Sequence, residues 1–255
     1  MLSKNQLKNL KRLELKKFRQ ETGLFVAEGP KVVGDLSEMT TPQTIIATTD
    51  YSGLQDCPCE RIIVSDKELR RASFLQHPQQ VIGIFRQPVY TAEERQTAIN
   101  LARKELVLAL DGVQDPGNMG TIIRVADWFG IRTIICSHHC ADVWNPKVVQ
   151  ATMGSIARVK ILYEPLENVI LTLGKETPVY GTLLDGNNIY DEELSQHGII
   201  IMGNEGNGIS ESIRILVNRR LLIPQYSTGQ TRAESLNVAI ATAVVCSEFR
   251  RRHSS

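Results

Sequence analysis

Short, wholly apolar runs alternate with polar, helix-forming stretches through the second half of the chain. The runs fall at residues 106–110 (LVLAL), 133–136 (TIIC), 179–184, 198–202 (GIIIM) and 220–223 (RLLI). Unbroken Ile- and Leu-rich runs of this length predict strands buried on both faces, as in a parallel sheet. Helical patterns lie between them at 121–129, 165–173 and 210–217, with a last helix beyond Ser235. Alternation of this kind predicts an α/β domain with a mainly parallel sheet. The first half is smaller-grained. Ser3 and Gln6 form a capping box ahead of Leu7, Leu10, Leu13 and Phe18, which predicts a helix over 3–18. A strand LFVAE leads to Pro30, suited to the first turn of a helix. Strands follow at 44–48, 61–64 and 81–85, with a helix at 67–74. The polar, helix-prone segment 91–104 has little apolar face and reads as a connector. The predicted organisation is thus a smaller α/β domain over 1–90, a linker helix over 91–104 and a larger α/β domain over 105–255.

Charge changes this picture at the ends. The net charge is only +1, yet the first twenty residues hold Lys4, Lys8, Lys11, Arg12, Lys16, Lys17 and Arg19 against one acid, Glu14. Arg250, Arg251 and Arg252 lie near the other end. A basic segment on a near-neutral protein points either to a polyanion such as nucleic acid or to a solvated helix face. No apolar run approaches the ~20 residues of a membrane span, and the start has no apolar signal core. No membrane partner is expected. Five cysteines, an odd number without framework spacing, suit free thiols in the cytoplasm. Cys136, His138, His139 and Cys140 crowd five positions but lack a second ligand pair, so no metal is expected.

Candidate chemistry gathers in the turns. Ligands of parallel sheets bind beyond the carboxyl ends of the strands. Three polar turns fall there: 111–120 (DGVQDPGNMG), 203–208 (GNEGNG) and the segment from Pro224. Asn118 or Thr121 could cap the helix after the first turn, placing Arg124 about one turn in. Arg124 is then either an anion ligand near a helix N-terminus or a surface arginine paired with Asp127 or Asp115. Ser235 suits the N-cap of the last helix, whose Ala239, Ala243 and Cys246 form a small-residue stripe able to approach the sheet closely. The run G-N-E-G-N-G does not match the dinucleotide fingerprint, and an acid inside such a loop would repel a pyrophosphate.

Three segments in this order, DGVQDPGNMGTIIRVADWFG (111–130), IMGNEGNGIS (201–210) and IP (223–224) followed by SLNV (235–238), resemble the SpoU (TrmH) family of RNA 2′-O-ribose methyltransferases, in the SPOUT superfamily. NPKVVQATMGS (145–155) is also similar. SKNQLKNLKRL and GLFVAEGPKVV are similar to the RNA-binding substrate domain often found ahead of the catalytic one. The resemblance implies a catalytic domain with a deep trefoil knot, S-adenosylmethionine as methyl donor, a homodimer, and RNA as substrate, ribosomal RNA before transfer RNA. A non-catalytic RNA-binding assembly protein on the same fold is the alternative. By motif match, Asn118, Arg124, Glu205, Ser235 and Asn237 take the catalytic and RNA-positioning places. Thr182, Leu183, Gly203, Asn204, Gly206, Ile223 and Leu236 take the places beside the methyl donor. Glu205 either positions the nucleotide or ties down its own loop. The segment 226–234 is longer than in many members.

Overall fold

The computed structural model describes residues 2–227 and 235–252. By its internal contacts the chain forms two compact units, residues 1–89 with 142–158, and residues 90–141 with 159–255.

The first unit holds a mixed four-stranded sheet: β1 (Leu24–Glu28), β2 (Thr44–Ala47), β3 (Glu60–Ile63) and β4 (Val81–Arg86), in the order β1-β4-β2-β3. Only the β2–β3 pair is parallel. The predicted N-terminal helix is two helices, α1 (Lys4–Arg12) and α2 (Lys16–Thr22). The break has a physical cause in Arg19, which is 1% exposed. Its guanidinium donates to the carbonyls of Leu13 and Glu14, both at 2.7 Å, and to Asp142 at 2.5 Å. Those carbonyls are the ones a continuous helix would have used internally. α3 (Pro30–Met39) has Pro30 in its first turn, and α4 (Asp66–Ala72) is capped by Ser65 and Glu68. α1 and α4 share a core of Leu10, Leu13, Leu69 and Ala72 with Val26, Ile46 and Ile82 of the sheet.

The second unit begins with α5 (Ala92–Asn100). Its sheet has six strands, all parallel: β5 (Leu106–Leu110), β6 (Thr133–Cys136), β7 (Lys160–Tyr163), β8 (Val179–Asn188), β9 (Gly198–Met202) and β10 (Arg219–Leu222). Their spatial order is β10-β8-β9-β5-β6-β7. β7 and the helix α7 (Pro146–Ala151, first unit) were not anticipated from the pattern. Four residues, KILY with a lysine at one end, are too few to show a period. The remaining helices are α6 (Pro116–Trp128), α8 (Leu166–Leu173), α9 (Glu211–Arg214) and α10 (Val238–Arg251). α10 buries Val238, Ala239, Thr242, Val245, Cys246 and Phe249. Ala243 of the expected stripe is only half-buried, and the helix packs on α6 while Phe249 meets Tyr180 of β8 edge-on.

The terminal arginines are consumed locally. Arg250 donates to the carbonyls of Phe129 and Gly130, and Arg251 and Arg252 both grip Glu248. The C-terminal loop in which the resemblance places a knot includes residues 228–234, which lie outside the described residues.

Candidate active site

Strand order decides where the site forms. The chain runs outward from β5 to β6 and β7, then returns to lay β9 against the other side of β5. The order therefore reverses between β5 and β9, and the loops beyond their carboxyl ends must diverge, leaving a crevice. Those loops are 111–115 and 203–210.

The two loops are cross-tied. Asp111 continues the ladder by donating its N–H to Met202 O (2.9 Å), and its carboxylate accepts Ser210 N–H at 2.7 Å. Asn204 Nδ2 donates to Gly112 O at 2.7 Å, while Asn204 Oδ1 accepts the amides of Gly206 and Asn207. Its backbone is paired both ways with Gly208. Asn204 is thus a brace for the loop, with its groups already engaged. From the other side, Ser137 Oγ accepts Gly112 N–H at 3.0 Å, and the Cys140 thiol donates to Leu110 O at 3.1 Å. A hydrogen bond from the Cys136 thiol lowers the Cys140 pKa to about 7.

A chain of three side chains then crosses the crevice. Glu205 accepts Asn118 Nδ2 at 3.1 Å and lies 3.4 Å from the amides of Gln114 and Asp115. Asn118 Oδ1 accepts Asn237 Nδ2 at 2.9 Å. Asn237 Oδ1 accepts the amides of Ala239 and Ile240. Each amide's orientation is dictated by its neighbour. Helix N–H groups and a carboxylate stand at the two ends, so every asparagine can point only one way. Glu205 therefore ties its loop to the start of α6, a wider role than holding its own loop.

Several expected placements change. α6 begins at Pro116 with Asp115 as cap, its carboxylate taking Asn118 N–H at 2.7 Å; neither Asn118 nor Thr121 caps it. Arg124 consequently lies more than two turns in, about 12 Å along the axis from the first residue. That is beyond the reach of the N-terminal potential. It is exposed, with no ion-pair partner among the described residues, so the pairing with Asp127 or Asp115 does not form. The cap of α10 is Asn237, and Ser235 is exposed at the preceding bend. Asn237 has the longer reach that lets one amide cap a helix and still meet Asn118.

Of the places assigned to a methyl donor, Thr182 and Leu183 lie midway along β8, Gly203, Asn204 and Gly206 beyond the end of β9, Ile223 just past β10, and Leu236 ahead of α10. The β8–β10 ladder jumps from the pair Arg220–Gly181 to Leu221–Asn187, so residues 182–186 leave it as a wide bulge. Thr182 Oγ1 donates to Ile201 O at 3.1 Å, whereas the Leu183 side chain joins the core and can offer a ligand only its backbone. At Gly203 a Cβ would lie 2.3 Å from the Gly208 carbonyl carbon, so the loop closes on itself only with glycine there. Gly206 is exposed, Ile223 is half-buried, and Leu236 is 49% exposed. Neutral backbone edges with two apolar side chains fit an adenosyl group and the alkyl arms of a sulfonium. Residues 228–234 of the long segment lie outside the described residues.

The SpoU rRNA Methylase family model matches residues 105–247, which hold this entire constellation. The chain belongs to that family. An MRM3-like substrate binding domain matches residues 4–83. The 23S rRNA (guanosine(2553)-2′-O)-methyltransferase RlmP of Bacillus subtilis is 32% identical, over 97% of each chain. Among solved structures, a putative RNA methyltransferase of the TrmH family from Porphyromonas gingivalis is 38% identical with a TM-score of 0.86, covering 99% of each chain. An AdoMet-bound rRNA methyltransferase from Sinorhizobium meliloti is 29% identical, with a TM-score of 0.84 over 100% of this chain and 97% of that one. Of the residues assigned by motif, Glu205, Asn118 and Asn237 are thus brought together, while Ser235 is exposed ahead of α10 and Arg124 is set apart further along α6.

Proposed function

We infer that the protein transfers a methyl group from S-adenosylmethionine to a ribose 2′-hydroxyl of RNA, ribosomal RNA rather than transfer RNA. The observation that carries this reading is the Glu205–Asn118–Asn237 chain at the β5–β9 crevice. When bound, the donor supplies an electrophilic methyl on a sulfonium. Thr182, Gly203, Gly206, Ile223 and Leu236 hold it, mostly through backbone groups. The protein's remaining task is placement. An acceptor oxygen must be aligned at ~3–3.5 Å, and much of the rate follows from that alignment. Asn118 and Asn237, fixed at both ends, orient the ribose; neither exchanges a proton at neutral pH. Ser235, exposed before α10, contacts the nucleotide.

Arg124 does the electrostatic work. A guanidinium with a pKa above ~12 is not a base. It grips the phosphate next to the reacting ribose bidentately and lowers the cost of a developing oxyanion, and a phosphate oxygen or water takes the proton. The exposed positions Thr121, Arg124 and Trp128 recur at helical spacing on α6, so a second copy seated on that stripe brings Arg124 to an interface. This supports a homodimer. Residues 1–90 serve as the RNA substrate domain, 91–104 as linker and 105–255 as catalytic domain. Five free thiols suit a reducing cytoplasm.

The test is to map ribose methylation across total RNA with and without the protein. One site should vanish on deletion, return with wild type and stay absent with Arg124→Ala. In vitro, Arg124→Lys keeps the charge and loses the fork, and should slow single-turnover transfer about 10²-fold. An undiminished rate would refute the bidentate role.

A further inference from the structure

We propose that the exposed faces of α1 and α4 form the surface on which the phosphodiester backbone of the RNA docks; this rests on the RNA-methylating reading above. Lys4, Lys8 and Arg12 recur every fourth residue along α1, and all three are exposed. Such a row advances about 6 Å per step on one side of a helix. Lys67, Arg70 and Arg71 are exposed on α4 and line a shallow hollow of about 470 Å³ together with Asp66. The two helices pack side by side. Their apolar residues share one core, and Lys11 Nζ donates to Ser73 O, at the end of α4, at 2.6 Å. Both rows therefore belong to one continuous layer.

The pairing pattern separates this layer from the rest of the unit. Arg19 pairs with Asp142, Lys17 with Glu21, and Lys31 and Arg158 with Asp35. None of the six exposed cations on α1 and α4 has a carboxylate within ion-pair distance among the described residues. The acids close by are few. Glu68 is occupied capping Ser65, Glu60 accepts from Gln6 of α1 and from Thr44, Glu14 follows α1, and Asp66 lies in the first turn of α4. Six unneutralised charges of one sign repel each other in the free protein, and a polyanion removes that cost by releasing its counterions. Contacts of this kind fix register and orientation without reading bases. The surface is accordingly a positioning device.

The experiment measures binding of the full chain to large-subunit ribosomal RNA at several salt concentrations. Each neutralised phosphate contributes about 0.7–0.9 to the slope of log affinity against log salt. Lys4→Ala/Lys8→Ala/Arg12→Ala should lower affinity at least tenfold and reduce the slope by about 2–3, the change for three lost phosphate contacts. Arg70→Ala/Arg71→Ala should reduce it by about 1–2. A Lys4→Arg/Lys8→Arg variant should keep both quantities, as should Lys31→Ala, whose lysine is already paired. Unchanged slope and affinity in the triple variant would overturn the proposal. So would loss of binding to polyglutamate with RNA binding intact, which would assign the face to an acidic protein. Binding of S-adenosylmethionine is measured in parallel. If wild type ignored the donor yet the RNA slopes behaved as expected, the enzymatic reading would fail while the docking surface stood.

Discussion

Asn237 serves the helix and the site through one amide, and substitution can separate the two. Its Oδ1 caps α10 and its Nδ2 orients Asn118. Asn237→Asp keeps a good cap and adds a negative charge where a helix N-terminus favours it. It removes the donor, so Asn118 loses its fixed direction. The expected outcome is thermal stability near wild type with single-turnover methyl transfer down at least tenfold. Asn237→Ala should lose activity too, and also about 1 kcal/mol of stability for the missing cap. Equal melting curves for both variants would contradict the capping role. At this scale the sequence misjudged some local tasks: Asp115 and Asn237, not Asn118 or Thr121 and Ser235, cap their helices. Ser235 and Asn118 are good cap types, and spacing alone cannot distinguish them from Asn237 and Asp115. What decides is which residue can also satisfy a distant partner, and Glu205 is 87 positions from Asn118.

Among elements, the bulge at 182–186 interrupts the β8–β10 ladder between its second and third pairs. Gly186 lies where the bulge rejoins the ladder, against Leu221. A Cβ there would lie 2.6 Å from the Leu221 carbonyl carbon and 2.8 Å from its nitrogen, both backbone atoms that cannot swing aside. Gly186→Ala should destabilise the protein by about 1–3 kcal/mol, the range for forced overpacking. Calorimetry should also find weaker binding of S-adenosylmethionine, because the displaced strand carries Thr182. Donor binding unchanged beside a lowered melting temperature would detach the bulge from the cofactor site. The end of α10 offers a pH test. Arg251, then Arg252, hold the Glu248 carboxyl down to about 2, against an ordinary value of 4.5. A depressed carboxyl contributes stability that is fully present above its ordinary pKa and is lost as pH falls through the folded value. The difference in urea-unfolding free energy between wild type and Glu248→Gln should be constant near neutral pH. It should fade between pH 4.5 and about 2. Strands were the most legible elements, since runs such as GIIIM are too short for a helix and are bounded by glycine. Helix ends were less so. α1 and α2 separate because Arg19 claims two carbonyls, and nothing in the local pattern of apolar residues reports that demand.

For the whole molecule, the feature that matters is the stripe of α6 left exposed beside its contact with α10. Trp128 is 85% exposed, in line with Arg124 on the same helix. A tryptophan left in water forgoes the burial of a large apolar surface, and Trp and Arg are the residue types that dominate interface energetics. The homodimer we propose would seat both at once. Trp128→Glu places a charge where a desolvated contact is expected and should give a monomer by light scattering. Trp128→Phe should remain dimeric. Because Arg124 makes no ion pair in the single chain among the described residues, its fixed direction must come from outside its own helix. The monomeric variant should therefore lose methyl transfer to the extent that Arg124→Ala does, and combining the two changes should cost little more than either. Additive losses would mean that the tryptophan and the arginine act separately. A Trp128→Glu protein that stayed dimeric with full activity would place the interface on another face.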